Sequence, residues 1–332
     1  MHSVAKMPAD ERRIIFRNTA QKMGINEAII EKDFWVCLTL DYLFHRCKWQ
    51  SAFAFKGGTS LSKCYGVINR FSEDIDLILD WRVLGYAENE PWMDRSGTKQ
   101  DIFNKDANYR TGIFLQEKLL PVIKTDISDI IDTDAVLYIE ESDPNTINFD
   151  YPYIFSAESI LQTIRLEIGA LAAWTPAIKK AVTPYSAEYY PMAFKQRQSI
   201  ILTSAAERIF WEKVTILHHE ANRPENLLMP KRYSRHYYDL YCIAHSDNKQ
   251  AAYDHPELLE KVVAFKTKFY PRKWARYDLA KPGTIKLLPP DYRLDNLRED
   301  YADMSEMMFG DYPNFNDLIS SIGKLQDEIN QL

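Results

Sequence analysis

The sequence predicts an α+β chain, with its strands gathered in the first part and a mainly helical domain after them. Three observations carry this. Short apolar or alternating runs at 52–55, 74–79, 136–141, 146–151 and 164–168 have the period of strands. Helical periodicity marks the N-terminal stretch and dominates again after residue 195. A chain of 332 residues, 46% of them hydrophobic, can give each of two domains its own core, and the boundary is placed at 1–195 and 196–332.

The first helix spans about 9–23 and ends at Gly24, and Asn26 opens the next. This helix-turn-helix outline has few exposed basic residues on its second helix and is read as packing. In that second helix, 26–44, the apolar positions Ile29, Ile30, Val36, Cys37, Leu40, Leu43 and Phe44 form a stripe with Asp33 in its middle, beside Lys32. A carboxylate there must be paired or face a cavity. A short apolar strand, 52–55, runs into Gly57-Gly58 and a helix start at Thr59. Backbone N–H groups at such a turn favour an anion, glycine admits a close phosphate, and Thr59 or Ser60 can add a hydroxyl or a cap.

In the strand 74–79, Asp74 and Asp76 share one face while Ile75, Leu77 and Leu79 share the other. Two carboxylates this close repel unless a cation lies between them, and Mg²⁺, which keeps water and substrate phosphates among its ligands, suits that position. Glycine turn and paired carboxylates together suggest metal-dependent chemistry on a nucleotide. The polar stretch 81–98 is expected to be a mobile loop beside the site. Residues 136–141 and 146–151 read as a hairpin turned by Asp143-Pro-Asn145, and 164–168 as a strand with Arg165 and Glu167 on its polar side.

Phe55-Lys-Gly-Gly-Thr-Ser-Leu61 followed by Arg70-Phe-Ser-Glu-Asp-Ile-Asp76 resembles the active-site signature of polymerase-β-like nucleotidyltransferases. The fuller wording is similar to the AbiEii/AbiGii toxin family, which includes the MenT-type toxins. Glu31-Lys-Asp33, Glu207-Arg-Ile-Phe-Trp-Glu-Lys213 and Arg232-Tyr-Ser-Arg-His-Tyr-Tyr-Asp239 extend the likeness over most of the chain. The resemblance implies a nucleotidyltransferase domain with a mixed sheet flanked by helices, then a helical domain. It also implies NTP as cosubstrate, Mg²⁺ as metal, tRNA as acceptor, a role as the toxin of a toxin–antitoxin or phage-defence system, and a cognate antitoxin as partner. The gap between Thr59 and Asp74 is longer than in the minimal motif, which leaves the phosphate contacts of Lys56, Gly57, Gly58, Thr59 and Ser60 open.

A third carboxylate is usual in such sites, and Glu167 is the candidate metal ligand beside Asp74 and Asp76; a cross-strand partner of a lysine or arginine is its alternative. Ser204-Ala-Ala-Glu207 reads as a capping box opening a helix in which Lys213 lies on the apolar face of Ala206, Ile209, Phe210 and Leu217. Asp239 lies on the buried arc of the next helix, one turn after Arg235. Either these are interior ion pairs, Arg235 with Asp239 for instance, or Lys213 meets the triphosphate and Asp239 orients it.

The net charge of −6 argues against a generally basic nucleic-acid binder. A local track remains at Lys179, Lys180, Lys195, Arg197, Arg223, Lys231, Arg232 and Arg235, interleaved with Tyr185, Tyr189, Tyr190 and Tyr233. Cys37, Cys47, Cys64 and Cys242 lack metal or disulfide spacing and read as buried thiols, and His218 and His219 form no zinc motif. No apolar run has the length of a membrane span and the N-terminus lacks a secretory pattern, so the expected location is the cytosol. The expected activity is nucleotide transfer to tRNA. Transfer to a protein or small molecule, and a silent nucleotide-binding module, stand as its alternatives.

Overall fold

The computed structural model describes residues 1–158, 160–171 and 175–332. The chain forms two compact units, Met1–Cys64 with Ser72–Thr203, and Tyr65–Phe71 with Ser204–Leu332.

The first unit carries a seven-stranded mixed sheet with the order β3-β4-β5-β2-β1-β7-β6. Its strands are β1 (Phe53–Lys56), β2 (Ile75–Leu79), β3 (Val136–Tyr138), β4 (Thr146–Asp150), β5 (Thr163–Gly169), β6 (Ala177–Val182) and β7 (Ser199–Ser204). β2 runs antiparallel to β1 and parallel to β5, and β1 runs parallel to β7. The expected hairpin is present as the antiparallel pair β3 and β4, and β4 in turn lies antiparallel to β5. The strand β7 carries this unit beyond residue 195.

The helices of this unit are α1 (His2–Ala5), α2 (Ala9–Met23), α3 (Glu27–His45), α4 (Gly57–Lys63), α5 (Gly97–Phe114), α6 (Leu120–Ile131) and α7 (Tyr185–Tyr189). Gly24 takes the left-handed conformation that ends α2, and Asn26 caps α3 by accepting from the Ala28 N–H at 2.8 Å. From Ala28 to Phe44 every residue of α3 is buried, so the helix is a central rod rather than a surface helix with one apolar stripe. Trp35 stacks on Tyr151 and meets Phe149 edge-on, while Phe34 contacts Phe16 and Phe194.

The charges of α3 pin the segments around it. Glu31 accepts from the N–H groups of Ile154 and Phe155, Lys32 pairs with Glu73 at 2.7 Å, Asp33 pairs with Lys63 at 2.6 Å, and Asp41 meets His2 at 3.0 Å. Asp33 also accepts the Tyr185 N–H. Burial is thus compensated group by group, as interior charges require.

The stretch 81–98, expected as a mobile loop, contains two short turns with internal hydrogen bonds. Trp81–Leu84 and Glu90–Trp92 are 3-10 turns, Asp80 caps the first, and Arg95 donates to the carbonyls of Glu90, Pro91 and Met93. Polar composition there supplies internal hydrogen bonds.

The second unit contains α8 (Ala206–Ala221), α9 (Ser234–Ala244), α10 (Asn248–Tyr253), α11 (Glu257–Phe269), α12 (Leu294–Asp303) and α13 (Phe315–Ile329). The expected capping box is absent: Ser204 still belongs to β7, and Ala205 stands at the N-cap without a side-chain bond. The serine comes one residue too early to reach the helix's open N–H groups.

Candidate active site

In the first unit the sheet register itself brings the site together. Lys56 of β1 stands opposite Asp76 of β2, Asp76 opposite Glu167 of β5, and Glu167 opposite Thr146 of β4, a single row across four strands. Register neighbours project to the same face, so Asp76 and Glu167 lie side by side, with Asp74 two residues before Asp76.

The carboxylates sense one another. Burial raises the Asp74 carboxyl above its ordinary value, and the charges of Glu73 and Asp76 raise it further, against Arg165 and Lys32. Burial likewise raises Glu167, reinforced by Asp76 and Asp74. Arg165, two residues before Glu167, bonds Asp143 at 2.8 Å and Glu167 at 3.3 Å while about 40% exposed.

Gly57 explains why the turn and the aspartates belong together. Its φ of +83° is the region that only glycine adopts without strain, and a Cβ at this position would lie 1.9 Å from Oδ2 of Asp76. The missing side chain therefore makes room for the carboxylate. α4 begins at Gly57, two residues earlier than the periodicity predicts, so the N–H groups of Gly57, Gly58 and Thr59 are those of a first helical turn.

The hydroxyls offered to a phosphate by sequence reasoning have internal partners instead. Thr59 Oγ1 donates to the Asp74 carbonyl at 2.5 Å and meets Ser72 Oγ at 2.9 Å, and Ser60 Oγ donates to the Gly57 carbonyl at 2.8 Å. Both side chains are buried. Thr59 thus ties α4 to the backbone of Asp74, and Lys32, by holding Glu73, fixes the same segment from α3. Lys56 sits at the N-cap of α4, half-buried.

Carboxylate oxygens gathered in mutual repulsion are the donor chemistry of a hard divalent cation, and the residues fit Mg²⁺ in that respect. Among the described residues, no group of three or more His, Cys, Asp or Glu side chains is placed to hold a metal ion, so the fit rests on the donor chemistry of the carboxylates.

In the second unit a different cluster surrounds Asp239, which is fully buried. Arg70 Nε and Nη2 donate to its two oxygens at 2.7 and 2.9 Å, a bidentate pair, and Lys213 Nζ donates to Oδ2 at 2.6 Å. Burial alone would raise Asp239; Arg70 and Lys213 outweigh it and hold the carboxyl well below the usual carboxylate range. Two cations against one anion leave excess positive charge, so burial, with Arg70 adding to it, lowers Lys213 despite its bond to Asp239. His236 Nδ1 lies 3.1 Å from Lys213 Nζ, and burial followed by the Lys213 charge drives the imidazole toward its neutral form, ready to accept from the ammonium.

The expected partner Arg235 is not the one that binds Asp239; Arg70 is. The segment around Arg70 is itself fastened within this unit, where Phe71 N–H donates to the Met307 carbonyl and Phe309 N–H to that of Asn69. Sequence reasoning missed Arg70 and His236 as members of this cluster. The signal for Arg70 lay in its motif, four residues before Asp74.

The Lys179–Arg235 track divides between the two units. Arg223 bonds Glu220 at 2.7 Å, and Tyr185 lies over Lys63 with its ring centroid 3.7 Å from Nζ.

No curated protein matches the sequence. The fold is similar to that of MenT4, a nucleotidyltransferase toxin from Mycobacterium tuberculosis H37Rv, at 14% identity and a TM-score of 0.47, covering 96% of this chain and 97% of that one. The sequence pattern of the family described as nucleotidyl transferase AbiEii toxin, type IV TA system, matches residues 41–321. The chain therefore belongs to the AbiEii family of nucleotidyltransferase toxins of type IV toxin–antitoxin systems.

Proposed function

We propose that this nucleotidyltransferase moves a nucleoside monophosphate from an NTP to the 3′ hydroxyl of tRNA with the help of Mg²⁺. The observation that carries the reading is the row Lys56, Asp76 and Glu167, with Asp74 beside it, next to a glycine whose missing Cβ accommodates Asp76.

Asp74 and Asp76, with Glu167 as third ligand, would hold the cation. Bound there, it supplies charge neutralisation for the triphosphate and activation of the attacking hydroxyl. The turn at Gly57 and Gly58 offers backbone N–H groups to phosphate oxygens, with Lys56 adding a point charge at the same edge. Thr59 and Ser60 contribute their backbone, since their hydroxyls hold Asp74 and Gly57. In the second unit, Lys213 acts as a phosphate-binding charge whose orientation Asp239 fixes.

The family implies an antitoxin acting against this activity. The proposed setting is the cytosol; no described helix is long and apolar enough to cross a membrane.

The test is incubation with tRNA, Mg²⁺ and each labelled NTP in turn, beside an Asp74→Ala/Asp76→Ala variant of unchanged fold. Label on tRNA from the parent alone is expected. Label that resists ribonuclease would move the acceptor to protein or a small molecule, and nucleotide binding without any transfer would sink the enzyme reading.

A further inference from the structure

We infer that the C-terminal end of α11 and the segment following it, centred on Trp274, form a docking surface for an RNA backbone; this rests on the tRNA-acceptor reading and deepens it.

The inference begins with a local reversal of charge. Residues 261–276 hold Lys261, Lys266, Lys268, Arg272, Lys273 and Arg276 and no acidic residue, in a chain whose net charge is −6. The apolar face of α11 is occupied: Leu258, Leu259, Val262, Phe265 and Phe269 are buried. The cations therefore occupy the remaining surface, where Lys261, Arg272, Lys273 and Arg276 are exposed.

Ordinary structural reasons account for part of this set. Lys266 and Lys268 lie in the last turn of α11 and complement its dipole, and Arg276 pairs with Asp278 at 2.9 Å. Arg272 and Lys273 have neither reason. They stand beside Trp274, a half-buried indole against which the His219 ring packs at 4.4 Å and 37°, and over which the Arg223 guanidinium, paired with Glu220, lies 4.9 Å from the centroid.

His219 is lowered to about 4, first by burial and then by the charges of Lys266, Arg223 and Arg272. Among the described residues its buried Nε2 has no hydrogen-bond partner. Tyr270 adds a ring about half exposed.

Cations interleaved with partly exposed rings suit a sugar-phosphate chain, which takes charge contacts along its length and stacking where a base is unpaired. An anionic membrane would instead require an apolar face turned outward, and the apolar face of α11 is buried.

The test uses the full chain carrying Arg272→Glu and Lys273→Glu, with deacylated tRNA as probe and no NTP, followed by fluorescence anisotropy over a range of KCl. The expected result is affinity about tenfold weaker or more, a salt slope shallower by about two, and an unchanged melting temperature and NTP affinity. The charge-preserving pair Arg272→Lys and Lys273→Arg is expected to bind like the parent. Equal tRNA affinity and slope in the folded charge-reversal variant would overturn the docking surface while leaving tRNA as acceptor. A loss seen only with vesicles containing anionic phospholipid would also overturn it. A parent that binds no tRNA would remove both readings together.

Discussion

Two clusters of charge, one in each unit, are arranged in opposite ways. In the first, Asp74, Asp76 and Glu167 crowd at one sheet face, and burial reinforced by the neighbouring carboxylates raises the proton affinity of Asp74 and Glu167. In the second, Asp239 is wrapped by Arg70 and Lys213 so completely that its carboxyl is held ionised. A group fully compensated by its own protein contributes to folding and orientation. A group left with like-charged neighbours is arranged for a charge that arrives from outside. The contrast separates residues whose loss should abolish transfer from residues whose loss should first damage the fold.

The largest expected effect is on chemistry. Asp76→Ala should lower transfer by about 10³-fold or more, as loss of a principal electrostatic contact at a reacting phosphate does. The melting temperature should stay level or rise, because a like charge beside Glu167 is removed. Unchanged turnover would break the assignment of the carboxylate face as the active site.

Next comes the compensated cluster. Asp239→Ala leaves Arg70 and Lys213 buried without their anion, at a cost of about 3–5 kcal/mol. Chemical denaturation of the variant measures this directly. A variant as stable as the parent but inactive would show that Asp239 serves the reaction alone, and the contrast between the units would fail.

Gly57→Ala tests the hinge of the site. Strain at φ +83° costs about 1–3 kcal/mol, and the added methyl group must displace the Asp76 carboxylate, so transfer should fall by about 10²-fold. If activity survives, Asp76 has room to move and its observed place against Gly57 is not required.

Much of this was legible in the sequence, for reasons that can be stated. Alternation put Asp74 and Asp76 together, the run around Glu167 read as a strand with its polar side correctly assigned, and Gly24 and Asn26 marked the boundary of α2 and α3. These signals are local. That Glu167 faces Asp76 is a matter of register between strands about ninety residues apart, which periodicity does not encode. Arg70 and Asp239 are 169 residues apart, and the local candidate Arg235 looked better only because helical spacing is visible in a sequence and tertiary pairing is not. The strand β6 was missed because Ile178, Lys179 and Lys180 give it an exposed edge with little alternation. Ser204 matched a capping pattern that the preceding strand had already absorbed.

The smallest effect gives the sharpest comparison, because Glu167 and Asp239 should respond to pH with opposite sign. Glu167 has a folded pKa raised from 4.5, so the folded state holds its proton more tightly than the unfolded chain. Its destabilisation grows as pH rises above 4.5 through the folded value and is complete when the group is ionised in both states. Glu167→Gln should therefore stabilise the protein near neutral pH by about 0.2–1 kcal/mol, the size of a relieved like-charge cross-strand pair, with the gain fading in acid. Asp239 has a folded pKa below 3.8, so its stabilisation is present above that value and lost as pH falls through the folded one. Asp239→Asn should accordingly be destabilising at neutral pH, with the deficit shrinking in strong acid. Thermal melts from pH 3 to pH 8 check the Glu167→Gln curve and the neutral-pH deficit of Asp239→Asn, which should persist to near pH 4. Repeating them with Mg²⁺ sharpens the result: a cation held by Asp74, Asp76 and Glu167 should erase the advantage of Glu167→Gln and leave the Asp239→Asn deficit where it was, whereas an equal response in both variants would mean that the cation does not act at the carboxylate face.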